Sequence, residues 1–244
     1  MVKLGEVDEV AQDFAAGLKQ PLTVSIRPAS DPVEVAKIGL WLQQRRPVLQ
    51  VRGDCVGSCA KSILLSGDTL TITPGSVIAF GGMAEVGMRM KEQIDAGDIF
   101  SDEERSQASR DHFLKVFKPW IDRGFAVREQ HARQAAVPDA VLRFIDAATG
   151  GWRVDRVSFS GEDFSFNLKP VRHGCMWWVP DAVGLKQLGL DVPGYRPARL
   201  ADAAKLLDVP QHLIYIGPTL EVLPEQPLCT VPPGSTTFNI HALP

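Results

Sequence analysis

The sequence predicts an α/β domain of strand-helix repeats around a parallel sheet, and three observations predict it. Residues 22–27 form a short β-branched segment, residues 32–45 carry helical periodicity, and residues 47–51 form a second apolar segment. A connection of that length between two strands requires parallel pairing, because antiparallel neighbours are joined by short hairpins. The alternation then continues through residue 80, and 244 residues with 45% hydrophobic and 23% charged content suit one such domain.

The first strand, residues 22–27, ends at Pro28. Asp31-Pro32 supplies an N-cap followed by proline at the first helical position, and Val35, Ile38, Trp41 and Leu42 give the helix to Arg45 its apolar face. After residues 47–51, Gly53 lets the backbone turn sharply. Residues 58–65 predict a second helix, broken by Gly67-Asp68, and Thr69-Leu70-Thr71-Ile72-Thr73 alternates as a strand. Pro74-Gly75 makes a turn, Ser76-Val77-Ile78-Ala79-Phe80 is the next buried strand, and Gly81-Gly82 frees the chain after it.

Ser101-Asp102-Glu103-Glu104 is a helix start, with an N-cap serine and early acids that complement the dipole. Phe113, Val116, Phe117, Trp120 and Ile121 recur at helical spacing and read as core, with a kink at Pro119 and a break at Gly124. Residues 126–134 and 138–148 read as further helical pieces, a β region begins at residues 151–154, and residues 157–166 alternate as a hairpin. Pro180-Asp181-Ala182 opens a short helix that Gly189 ends, and residues 197–207 form one more. Residues 1–209 are therefore assigned to one domain. Pro210, Pro218, Pro224, Pro227, Pro232 and Pro233 make residues 210–244 an irregular arm, of which Leu213-Ile214-Tyr215-Ile216 docks as a strand.

A net charge of −3 gives no basic excess for a nucleic-acid backbone or an anionic membrane. No apolar run approaches the roughly 20 residues of a membrane span. Acids at Glu6, Asp8 and Glu9 interrupt any secretory core, so no leader is expected in the sequence as it stands, and the compartment is open between the cytoplasm and a periplasm reached with a removed leader. Cys55, Cys59, Cys175 and Cys229 are too few for a disulfide scaffold and lack paired C-x-x-C spacing, so no metal and no cofactor is expected.

The chemistry-bearing stretch is Val51-Arg52-Gly53-Asp54-Cys55-Val56-Gly57-Ser58-Cys59-Ala60. A serine at a tight strand-to-helix turn exposes its hydroxyl near the positive end of the helix, the placement of an activated nucleophile. This segment resembles the nucleophile region of the Clp-protease proteolytic subunit and crotonase superfamily, in particular poorly characterised bacterial members with a glycine, serine, cysteine, alanine pattern. The step from Ser58 to Gly67, the run Thr71-Ile72-Thr73-Pro74-Gly75-Ser76-Val77-Ile78, and Trp177-Trp178-Val179-Pro180 with Leu185 and Leu188-Gly189-Leu190 are similar to the same group. The resemblance covers residues 22–192. It implies a Clp-protease/crotonase-like core, Ser58 as nucleophile, and a homo-oligomer.

Two departures qualify what the resemblance implies. Ala29-Ser30 stands where the family has paired glycines that donate an oxyanion-hole amide, and Phe80-Gly81-Gly82 stands where many relatives place the general-base histidine. Ala29, Ser30, Cys59, Gly81 and Gly82 are the oxyanion or cleft candidates. None of His112, His131, His173, His212 and His241 occupies the family's base position, and the first two read as solvated or satisfied residues of the long helical region. Cys55 and Cys59 carry three competing readings. They bridge the turn as a disulfide, as the resemblance suggests; they are buried small hydrophobes; or Cys59, at a helix N-terminus, is itself reactive.

Two functions follow as expectations. One is a catalytically degenerate or atypical superfamily member that binds a peptide, an acyl group or a protein partner in its cleft. The alternative is a serine hydrolase of peptidase or esterase type, with Ser58 as nucleophile and a non-standard base. Crotonase-type acyl-CoA chemistry would need a glycine-rich oxyanion or CoA segment, and none is recognisable.

Overall fold

The computed structural model of the chain describes residues 22–26, 32–57, 59–67, 69–81, 111, 115, 122, 139–149, 152–160, 163–170, 174–222, 224–230 and 236–240. The opening unit is β1 (Leu22–Ile26), α1 (Pro32–Arg45) and β2 (Val48–Val56), with β1 and β2 parallel. Proline at the first helical position fits because its missing N–H has no partner in the first turn. Val35, Ile38 and Leu42 are buried at helical spacing, and the Arg45 guanidinium lies 4.3 Å from the Trp41 ring centroid at the other end.

β2 runs beyond the expected stop at residue 51. Val24 pairs with Val51 and Ile26 with Cys55, so β2 carries extra residues around Gly53 and continues as a bulged strand. The same place divides its other edge. β3 (Thr69–Ile72) pairs with residues 48–51, and β4 (Val77–Gly81) pairs with residues 54–56, both parallel to β2. Between them a hydroxyl chain fills the gap. The Gly53 N–H donates to Ser76 Oγ at 3.1 Å, Ser76 and Thr73 hydroxyls are 2.8 Å apart, and Thr73 Oγ1 donates to Val51 O at 3.1 Å. Ser76 Oγ also lies 3.5 Å from Val51 O, so both hydroxyls reach the same carbonyl and either can donate to the other.

The segment after β2 is no regular α-helix. Residues Cys59–Ile63 form a wide π-type turn and Leu64–Ser66 a tight 3₁₀ turn, with the Ser66 hydroxyl donating back to Ser62 O. Space explains part of this. The segment is pressed against α1 so closely that a Cβ on Gly39 would lie 2.7 Å from Ser62 O.

The remaining elements are α2 (Asp139–Thr149), β5 (Trp152–Ser160), β6 (Asp163–Pro170), β7 (Trp177–Pro180), α3 (Ala182–Gln187), α4 (Leu200–Leu207), β8 (Ile214–Gly217) and β9 (Thr236–Ile240). The main sheet has the order β1-β2-β4-β7-β8, with β3 beside β2; it is mixed but mostly parallel, since only β4 and β7 are antiparallel. The expected hairpin is longer than its alternation suggested. β5 and β6 pair antiparallel from Trp152 with Pro170 to Ser160 with Asp163, and β9 adds a third strand to this separate sheet. Within the helix expected from residue 101 to the break at Gly124, Asp111, Lys115 and Asp122 are helical; the expected helix at 126–134 lies outside the described residues.

The core gathers between the main sheet and its helices. Phe80 of β4 and Phe144 of α2 each place their ring centroid 5.2 Å from that of Trp178 of β7, Phe144 edge-on to the indole. The indole N–H of Trp178 donates to Gly217 O at 2.8 Å, so its one polar atom is satisfied without water. Asp181 caps α3 by accepting from the Gly184 N–H at 2.8 Å, and Gly189 ends that helix region in the left-handed conformation. No helix among the described residues is long and apolar enough to cross a membrane.

Candidate functional site

The site is built where β2 leaves the sheet. Its last residues, 54–56, are clamped by β4, and the Gly57 N–H extends that clamp to Ala79 O at 2.9 Å. Gly57 then takes φ +58, the left-handed conformation that turns a strand into a following helical turn at little cost only for glycine. Its carbonyl accepts from the Lys61 N–H at 3.1 Å, so both ends of the 57–61 segment are fixed by backbone hydrogen bonds.

A disulfide locks the same corner. Cys55 and Cys59, with α-carbons 5.1 Å apart, are joined and fully buried. This decides among the readings of the pair: Cys59 holds no free thiol, so it is not a nucleophile, and the reactive-cysteine reading is withdrawn. Ser58 itself, and with it Ala29, Ser30 and Gly82, lies outside the described residues.

The opposite wall is the end of β4. Gly81, at φ +99, pairs with Trp177 of β7, and an ideal Cβ on it would stand 2.6 Å from both Cβ and Oγ1 of Thr149. Thr149 is buried at the C-terminus of α2 and donates its hydroxyl to Ile145 O at 2.7 Å. The strand end where the resemblance would seat a histidine therefore has a threonine packed onto its backbone. Trp177 connects the two walls: its backbone pairs with Gly81, while its ring edge comes within 3.7 Å of where a Gly57 Cβ would lie.

Trp177 and Thr149 are site residues that sequence reasoning missed. Trp177 stands out in the sequence only within the Trp177-Trp178-Val179-Pro180 run; it is buried, and the β4–β7 pairing is what brings it to the corner. No sequence signal marks Thr149. Of the histidines, His212 is exposed on the turn Gln211–Leu213 before β8, and β4 and β7 separate β8 from β2. His112, His131, His173 and His241 lie outside the described residues. Among the described residues no group of three His, Cys, Asp or Glu side chains is placed to hold a metal ion.

A second disulfide, Cys175–Cys229, spans 54 residues and ties the proline-rich segment to the residue two before β7. Next to it, the Trp152 indole N–H donates to Cys175 O at 2.9 Å, fastening the start of β5 to the same point. Burial pushes the Tyr195 phenol well above its ordinary value, as does the nearby Asp181 charge, and the phenol donates to Pro180 O at 3.2 Å. Tyr215 is raised by the same two causes in the same order and donates to Pro218 O.

These features define an α/β protein with a mostly parallel mixed sheet and a disulfide-locked strand-to-turn corner. Compared with known protein families, curated proteins and solved structures, the chain matches none.

Proposed function

We propose that the chain is an atypical Clp-protease/crotonase-like protein, without the family's standard catalytic triad, that binds a peptide or an acyl group at the Gly57–Cys59 corner. The observation that carries this reading is the packing of Thr149 onto Gly81. An imidazole at Gly81 would need both a left-handed backbone and the volume that Thr149 fills, which speaks against a histidine base at that residue. The two disulfides use all four cysteines, which favours an oxidising compartment, since such bonds are rare in mesophilic cytosol.

Fluorescence anisotropy with labelled peptides and labelled acyl esters tests the reading. Binding that is weakened by Gly57→Val supports it; folded wild-type protein that binds neither class overturns it.

A second reading, a serine hydrolase of peptidase or esterase type through Ser58, is favoured by the corner itself. A left-handed glycine, two flanking backbone hydrogen bonds and a disulfide hold the segment containing Ser58, and such preorganisation suits a nucleophile. Labelling by a fluorophosphonate probe that disappears in Ser58→Ala supports this reading, and no labelling of folded protein excludes it.

A further inference from the structure

We propose that residues 218–222 and 224–230 form a strap latched by the Cys175–Cys229 disulfide, and that a dithiol reductant opens this latch while the rest of the chain stays folded. β7 and β8 are parallel, with Trp177 beside Ile214 at one end and Pro180 beside Gly217 at the other. The chain leaves β8 at Gly217, yet Cys229 is joined to Cys175, two residues before β7 begins. The strap therefore returns along the whole length of the strand pair, and the disulfide fixes its far end.

Little else fixes it. Thr219 exchanges hydrogen bonds of 2.8 and 3.4 Å with the Gln187 side chain on the protein surface, and Pro218 O accepts from the Tyr215 hydroxyl at 3.1 Å. The strap makes no backbone–backbone hydrogen bond to another described residue. Leu220 and Leu228 are half-buried against the core, while residues 221, 222, 224–227 and 230 are exposed. Two half-buried leucines and a few surface hydrogen bonds do not offset the entropy of ordering a segment of this length, so the covalent link is what keeps it seated.

The other disulfide is held differently. Cys55 sits in the β2–β4 ladder opposite Ile78, and Cys59 follows Gly57, whose N–H and carbonyl are both bonded to backbone. After reduction those two thiols would stay side by side and re-form their bond. The thiols of Cys175 and Cys229 would part as the strap lifts, which makes theirs the more easily reduced of the two links. β9 pairs with β6 and anchors the chain again beyond Thr230. The strap thus opens as a loop tethered at both ends, and Cys229 stays within reach for reoxidation.

The exchange balances with the reductant alone. A thiolate of the dithiol attacks Sγ of Cys229, which is 4% exposed against 0% for Cys175, and Cys175 leaves as the thiolate. The second thiol of the reductant then attacks the mixed disulfide and releases Cys229. The reductant ends as a disulfide, and the two cysteines have gained its two electrons and two protons.

The test treats the full chain with graded dithiothreitol, traps thiols with iodoacetamide and locates them by peptide mass, with near-ultraviolet circular dichroism following the Phe80–Trp178–Phe144 group. Cys175 and Cys229 should be alkylated at reductant concentrations that leave Cys55–Cys59 joined and the spectrum unchanged. Reduction of both disulfides together, reduction only with loss of the spectrum, or no reduction of folded protein overturns the proposal. Cys175→Ser, which leaves the Cys229 thiol on an unlatched strap, gives a second measurement. Its alkylation rate should be flat in urea below the unfolding transition, because the strap opens locally. A rate that climbs with urea as steeply as global unfolding means that packing alone seats the strap, and it overturns the latch. Should that variant not fold, the urea dependence of Cys229 alkylation in reduced wild type decides by the same criterion.

Discussion

Gly81→Ala probes the wall opposite the Gly57–Cys59 corner. The new methyl would enter a site where Thr149 Cβ and Oγ1 are each 2.6 Å away, and the backbone would keep φ +99. Overpacking of a filled core costs about 1–3 kcal/mol and a left-handed non-glycine residue about 1–2 kcal/mol, so the sum is about 2–5 kcal/mol. A loss of about 3 kcal/mol in a chain of this size lowers Tm by roughly 6–12 °C. The steric share is separable. Thr149→Gly removes the three atoms nearest the methyl, so in that background the cost of Gly81→Ala should fall towards the backbone share, about 1–2 kcal/mol, a coupling readable by urea denaturation of the four proteins of the cycle. A Gly81→Ala protein within about 0.5 kcal/mol of wild type, or an equal cost in both backgrounds, would refute the claim that Thr149 fills the space beside Gly81.

The two disulfides should differ in worth. On the chain-entropy relation, the link across 54 residues contributes about 4 kcal/mol and the link across 4 residues about 2 kcal/mol, so urea midpoints of Cys175→Ser/Cys229→Ser and Cys55→Ser/Cys59→Ser should fall in that order. Asp181→Ala should lose about 1 kcal/mol through the Gly184 cap, with far-UV circular dichroism almost unchanged. Trp178→Phe removes the indole donor to Gly217 O, which keeps only the Asp181 N–H at 3.3 Å, and should cost about 0.5–1.5 kcal/mol, with loss of near-UV signal from the Phe80–Trp178–Phe144 group. Both tyrosines of the chain have raised values, so ultraviolet titration of folded protein should show no phenol ionising at its ordinary pH. Because the folded value lies above the unfolded one, the stabilisation is fully present below about pH 10 and is lost as pH rises from there through the folded values; a phenol titrating normally in folded protein would refute the burial of Tyr195.

Local chemistry made much of the fold legible. Pro32 and Arg45 bound α1 as the proline and the following strand segment required, and Asp181 with Gly189 bracket the α3 region because capping and left-handed release are local events. β2 was underread because a glycine after a strand signals a turn. What keeps the strand going is a pair of hydroxyls, on Thr73 and Ser76, that sit more than twenty residues away and supply the partners the bulge would otherwise lack. The same limit hid the partner of Cys175, since nothing local at Cys229 points back across 54 residues. At the candidate site, the Cys55–Cys59 disulfide was among the readings, whereas Trp177 and Thr149 reach the corner only through strand pairing and helix packing.

The Gly81–Thr149 contact also bears on how the site differs from a triad. If Gly81 merely lacked a side chain, a void would remain at the strand end, and one substitution would fill it. Here the last residue of α2 is seated against the strand backbone, with its hydroxyl bonded within its own helix, so the position is already closed by packing. Restoring an imidazole would require moving α2, which also carries Phe144 into the Trp178 cluster. If the corner does chemistry, a proton acceptor there has to come from a side of the turn other than the one Thr149 closes.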